Sequence, residues 1–221
     1  MTNLLIKDFF VQKRTFLFAL GYSIFVLVAF QSEVFAESAY IMGAMATAYM
    51  LVLGACAYEE KNNSDVILNS LPMPRNTIVK ARYLSALVFT AAAFIIIGLV
   101  GFLMRSVGMP IPLRYVKISD VLAVVISLGL LVSVYFPVYF RYGYIKSRFF
   151  NIIIFLLAFF VPALAAPYFR GMGDFALLNQ LGTRIAALAG WQLGVVAVLG
   201  VIVAMFLSML ISIKFYEKRE F

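Results

Sequence analysis

Histidine is absent from this 221-residue chain, and cysteine occurs once, at Cys56. Without them the usual zinc and haem ligand sets are missing, and no internal disulfide can form. The Ser-His-Asp, Cys-His and His-Glu-x-x-His devices are excluded outright, and with them most membrane proteases. Charge is scarce as well: Asp, Glu, Lys and Arg make up 13% of the chain. No Gly-x-x-x-x-Gly-Lys-Ser/Thr loop is present, so the chain has no phosphate cradle for hydrolysing ATP itself. Cys56 lies in an apolar run, where a small core residue is the expected role.

What is abundant is apolar surface. Hydrophobic residues make up 64%, and the mean hydropathy is +1.01. A soluble domain of this size needs a wetter exterior. Apolar runs occur at about 15–31, 39–58, 83–104, 119–140, 149–169 and 185–213, each near the ~20 residues that cross a bilayer. The sequence therefore predicts an all-α membrane protein with six transmembrane helices, folded as a single domain over 1–221. A cleaved signal peptide ending near "VFA" is the poorer account of the first run, which is long for one.

The net charge of +8 follows from the positive-inside bias of membrane loops, not from nucleic-acid binding, because no basic patch interleaved with aromatics is present. Thirteen cations fall on one side: Lys7, Lys13, Arg14, Lys61, Arg75, Lys80, Arg82, Arg141, Lys146, Arg148, Lys214, Lys218 and Arg219. Five fall on the other: Arg105, Arg114, Lys117, Arg170 and Arg184. Both termini are thus expected in the cytoplasm. The interiors of the spans carry no Asp, Glu, Lys or Arg, which argues against proton or sodium coupling and voltage sensing. Any work on a substrate would draw its energy from outside the membrane.

Several segments have finer patterns. Residues 3–14, "NLLIKDFFVQKR", set Leu5, Ile6, Phe9 and Phe10 near one face, as an interfacial helix does; a frayed terminus is the competing reading. The second run concentrates Gly43, Ala44, Thr47, Ala48, Gly54 and Ala55, which suits a crowded helix interface. Pro137, Pro162 and Pro167 allow kinks, or simple packing. Before the last run, Pro162, Pro167, Gly171 and Gly173 predict a broken, re-entrant segment. Asp174 there is placed to cap a short helix; a plain loop fits the pattern equally.

The most polar stretch, 59–82, "EEKNNSDVILNSLPMPRNTIVKAR", stands between the second and third spans. Asn62, Asn63 and Ser64 suit a helix N-cap, and "SDVILNSL" supplies about two turns. Pro72 biases Leu71 out of the helical region, and Pro74 suits the first turn of the next helix. A short braced cytoplasmic helix results. Val66, Ile67 and Leu68 are placed to fill a partner's groove, and Glu59, Glu60, Asp65 and Arg75 to set register by charge. An ordinary linker is the bland alternative.

The stretch "EKNNSDVILNSLPMPRNTIVKARYL" resembles the hallmark of permease subunits of ABC-2 type exporters, in particular the branch with the phenol-soluble modulin and antimicrobial-peptide exporter permeases. Glu60, Leu68, Asn69, Ser70, Leu71, Pro72 and Arg75 carry the match. A second stretch, "FPVYFRYGYIKSRFF", is similar to that branch's segment after the fourth span through Pro137, Gly143, Lys146 and Arg148. The resemblance implies a bacterial cytoplasmic-membrane permease, non-enzymatic and without a bound cofactor, forming half of an export pathway for amphipathic, cytolytic or antimicrobial peptides or another hydrophobic substrate. It further implies two ABC ATPase subunits carrying ATP and Mg, and a second permease copy or paralogue. The cytoplasmic coupling helix between spans two and three would involve Glu59, Glu60, Asn62, Asp65, Val66, Leu68, Ser70, Leu71, Pro72 and Arg75. A second cytoplasmic loop would hold Arg141, Gly143, Lys146 and Arg148. Two alternatives are a substrate-capture subunit of a vitamin importer, for which the first span offers only Ala19 and Ser23 as a small-residue pair, and a membrane scaffold or immunity protein.

Overall fold

The computed structural model describes residues 2–29, 39–62, 64–70, 74–107, 116–171 and 190–219, with 2, 3, 65, 66, 69, 151, 154–171, 190, 191 and 193 described in backbone only. Every element among the described residues is a helix: α1 Thr2–Val11, α2 Lys13–Ala29, α3 Ala39–Lys61, α4 Ser64–Ser70, α5 Arg75–Ser106, α6 Ile118–Gly171 and α7 Gly190–Glu217. Among the described residues four helical stretches are long and apolar enough to cross a membrane: Ala39–Lys61, Arg75–Ser106, Ile118–Phe150 and Gly194–Glu217. The bent pair Leu4–Val11 and Lys13–Ala29, with axes 61° apart, makes a fifth if taken as one span.

Small residues decide which helix sits in the middle. Gly43, Ala44, Thr47, Ala48 and Ala55 of α3 are all buried. A Cβ on Gly43 would collide with Ile97 Cδ1 of α5 and lie 3.3 Å from Val26 Cγ1 of α2, so three helices meet there because one position lacks a side chain. Toward one end the core is Tyr83, Phe89, Tyr135, Phe136, Tyr139, Phe140 and Tyr216 around α3. Toward the other it is Leu27, Tyr40, Ile97, Val100, Met104 and Val124. Tyr83 and Phe136 pack edge-on at 4.8 Å, as do Phe140 and Tyr216 at 5.3 Å, whereas Tyr135 and Tyr139 stack at 6.0 Å.

A hydroxyl chain ties the outer helices to this core. Tyr83 Oη lies 2.6 Å from Ser208 Oγ and 2.9 Å from Ser212 Oγ, and Ser208 donates to the Ser133 carbonyl at 2.6 Å. α5, α6 and α7 are thereby joined by groups that would be costly unpaired in lipid. The opposite face of α7, with Val195, Leu199, Ile202, Val203, Phe206 and Leu210 exposed, suits contact with acyl chains.

Three expectations change. The stretch 141–148 is not a loop: α6 is helical on both sides of Gly143, whose φ of 79° and ψ of 175° break it at one residue. One glycine makes that break without a connecting segment. The segment expected to be broken from Pro162 onward stays helical through Gly171, because a membrane helix tolerates proline when its surroundings supply the lost backbone bonds. Residues 172–189, over which the short Asp174-capped helix is expected, lie outside the described residues. Asp120, inside the predicted bounds of the fourth span, is an end cap, accepting the Lys117 backbone N–H at 2.9 Å.

Candidate functional site

α4 leaves α3 almost at once and returns to α5 within a few residues. Its Ser70 hydroxyl donates back to the Ile67 carbonyl at 2.7 Å. Leu68 is buried in the aromatic core, whereas Ile67 is 62% exposed and Ser70 is exposed. Among its described side chains Leu68 pins the short helix, and Ile67 and Ser70 lie open. Pro74, at φ −66° and ψ 136°, opens α5, and its carbonyl accepts Thr77 N–H at 2.9 Å. Arg75 follows, donating to the carbonyls of Glu217 at 2.9 Å and Arg219 at 3.2 Å. A cation on the last carbonyls of α7 is favoured by the helix dipole, so the exit from α4 is fastened to the end of the last helix.

The two glutamates before α4 have separate partners. Glu59 is buried and forms an ion pair with Arg82. Tyr139 Oη donates to the same oxygen at 3.1 Å, and the other oxygen accepts Lys7 Nζ at 2.9 Å. Arg82, also buried, reaches Asp8 at 3.0 Å, and Ser85 Oγ donates to the same Asp8 oxygen at 2.8 Å. Two cations and two anions from α1, α3 and α5 therefore neutralise one another, with α6 contributing a hydroxyl. Buried charges persist only when so compensated. A small cleft lined by Lys7, Asp8, Gln12, Tyr58, Glu59 and Asn62 opens beside the cluster.

Glu60 points elsewhere. Its carboxylate accepts the backbone N–H of Tyr144 at 2.9 Å, the first residue after the Gly143 break. A negative charge at a fresh helix N-terminus meets unsatisfied N–H groups and the positive end of the dipole. A Cβ on Gly143 would lie 3.0 Å from Arg219 Nη2 and 3.2 Å from Glu60 Oε2. The break, the end of α3 and the end of α7 thus converge.

Of the residues predicted for the coupling site, Glu59, Glu60, Leu68 and Arg75 hold the junction together, and Asn62 is exposed with its N–H on Tyr58 O at 3.1 Å. Asp65 and Val66 lie on α4, with their side chains outside the described set; Leu71 and Pro72 lie outside the described residues altogether. Arg141, Lys146 and Arg148 are exposed on α6 and take no part in the ion pairs of that cluster. Sequence reasoning missed Asp8, Ser85 and Tyr139, and counted Lys7 and Arg82 only as loop charges. Asp8 carried a signal, as the one acid in a basic N-terminal segment. Among the described residues no group of Cys, Asp or Glu side chains is placed to hold a metal ion.

A helical, multi-pass membrane chain with a braced polar junction between two spans is the build of a transporter's membrane component. The chain belongs to the family described as ABC-2 family transporter protein, which it matches over residues 3–217. That family implies partnership with an ABC ATPase. Comparison with curated proteins found no match, and comparison with solved structures found none.

Proposed function

We propose that this chain is the permease subunit of an ATP-driven exporter of the bacterial cytoplasmic membrane, with six spans and both termini cytoplasmic. It forms half of the translocation pathway, beside a second copy or a paralogue, and docks one of two separate ATPase subunits. It is not itself an enzyme. The cargo is an amphipathic, cytolytic or antimicrobial peptide or another hydrophobic molecule, in keeping with spans whose interiors carry no charge. α4 is the coupling helix. Nucleotide-driven movement of the ATPase presses on it and shifts α3 and α5 together.

One observation carries this reading: α4 presents Ile67 outward while Leu68 and Arg75 bind it to the core and to α7. Such a helix is built to receive force. The vitamin-importer alternative loses ground, because Ala19 and Ser23 are buried within the chain, Ser23 donating to the Ala19 carbonyl at 2.8 Å.

The test is affinity purification of the tagged chain in mild detergent at native expression. An ABC ATPase in about equal amount, lost with Ile67→Glu while the chain stays folded, is expected. A folded chain that brings down no ATPase would overturn the proposal and favour the scaffold or immunity reading.

A further inference from the structure

We propose that the surface formed by 141–150 of α6 and 214–218 of α7 binds the headgroups of anionic phospholipids. Arg141, Lys146, Arg148, Lys214 and Lys218 are all exposed there. Among the described residues no carboxylate lies within ion-pair distance of any of them. The exposed acid in this stretch is Glu217, whose carbonyl is held by Arg75. Arg141 is fixed in place: its guanidinium carbon lies 5.1 Å from the Tyr142 ring centre and 5.1 Å from that of Phe215. Stacking on two rings orients the fork and limits its freedom, leaving its N–H groups for an outside acceptor.

The neighbours of these cations decide what that acceptor is. Tyr142, Ile145, Phe149 and Phe150 are exposed on the same segment. Aromatic and aliphatic side chains alternating with Lys and Arg match the boundary where headgroup phosphates give way to acyl chains. A water-facing surface for a soluble protein would have little use for exposed Phe149 and Phe150 beside so many unpaired cations. Anionic headgroups satisfy both halves, since phosphates accept from the cations and the glycerol and upper acyl region covers the rings. The site goes beyond the coupling proposal and does not depend on it.

The experiment reads lipid selectivity at the site itself. In a Trp191→Phe background, Tyr142→Trp places the one indole beside Arg141, and the chain is reconstituted into vesicles holding brominated phosphatidylglycerol or brominated phosphatidylcholine. Quenching by the anionic lipid is expected to be preferred, with about a fivefold fall in preference for each charge removed in Arg141→Gln and Lys214→Gln. Leu199→Trp, exposed in the middle of α7, is expected to show no preference. Equal quenching by both lipids at Tyr142→Trp would overturn the site, as would an equal preference at Leu199→Trp or one untouched by the two glutamine changes. Loss of the preference on adding excess inorganic phosphate would mean a general phosphate site and would also overturn it. Helical circular dichroism of each variant confirms that the fold is intact.

Discussion

Glu59 and Glu60 are adjacent and chemically identical, yet they should differ several-fold in what they contribute. In Glu59→Gln, Arg82 loses its ion pair while remaining buried. Removing one partner from a buried pair costs about 3–5 kcal/mol. Asp8 still holds Arg82 at 3.0 Å, and Lys7, a third exposed, can turn to water, which places the loss near the low end, about 3 kcal/mol. In Glu60→Gln the amide oxygen can still accept the Tyr144 N–H at this half-buried site, so only the charge–dipole share is lost, about 0.3–1 kcal/mol. Cys56 supplies the assay: it is the only thiol, and it is fully buried, so a thiol-reactive dye reports unfolding as the purified protein is warmed. At roughly 2–4 °C per kcal/mol, Glu59→Gln should lower the midpoint by roughly 6–12 °C and Glu60→Gln by no more than about 4 °C. Adding Arg82→Met to Glu59→Gln should recover at least half of the loss, because the charges left are Asp8 and Lys7, which already pair at 3.5 Å and compensate one another. A larger shift for Glu60→Gln than for Glu59→Gln, or a double variant worse than the single, would refute the assignment of partners.

Other changes test the joints separately, with the same thermal assay unless stated. Gly143 sits in a backbone region essentially reserved for glycine, so both Gly143→Ala and Gly143→Asn should cost about 1–3 kcal/mol; a midpoint matching wild type in either would refute the break. Gly43→Ala should cost about 1–3 kcal/mol by overpacking against Ile97, and Ile97→Val should relieve it, since it removes the atom that collides. Arg75→Ala should accelerate amide hydrogen exchange over 214–219 by roughly tenfold, as about 1–1.5 kcal/mol of hydrogen bonding is lost from the end of α7; Arg75→Lys should fall between, and unchanged exchange would refute the tether.

The spans were legible because lipid leaves few choices: long apolar runs at 39–58, 83–104 and 119–140 lie within α3, α5 and α6. The crowded face of α3 was legible from its small residues, and continuing that face answers the glutamate question. Ala44, Ala48, Leu51, Ala55 and Glu59 step by three or four and are all buried, whereas Glu60 is turned some 100° away. Asp8 was harder. Its partner Arg82 is 74 residues distant, and no local pattern announces a pairing made only when α1 folds against α5. The apolar face of α1 gave half the answer: Phe9 and Phe10 are exposed while Asp8 and Gln12 are buried. This helix turns its polar side to the protein, as suits a surface whose solvent is lipid. The Gly143 break was read as a loop because "RYGYIKSR" is polar, but polarity marks the membrane edge there and not the end of a helix.

The ion cluster would let a chain whose spans have uncharged interiors move as a unit. Its charges lie at the ends of α3 and α5 and on α1, with Glu59 a few residues before α4 and Arg82 one helical stretch after it. In the proposed cycle a push on α4 reaches α3 and α5 from both sides at once. Apolar contacts alone would let the two helix ends slide, since packing in lipid is weakly directional. A buried Glu59–Arg82 pair with Asp8 resists sliding, because separating any of the three leaves a charge without compensation. In that cycle the Arg75 bonds would carry the same displacement to α7, and the Glu60 bond would carry it across the Gly143 break into the far arm of α6. Stiff joints gathered at one end, with apolar helices beyond them, fit a lever worked from the end that holds α4. Variants of the cluster that remain folded should therefore uncouple ATP hydrolysis from transport, with the partner's ATPase rate retained and export lost; export in proportion to hydrolysis would show that these charges serve stability alone.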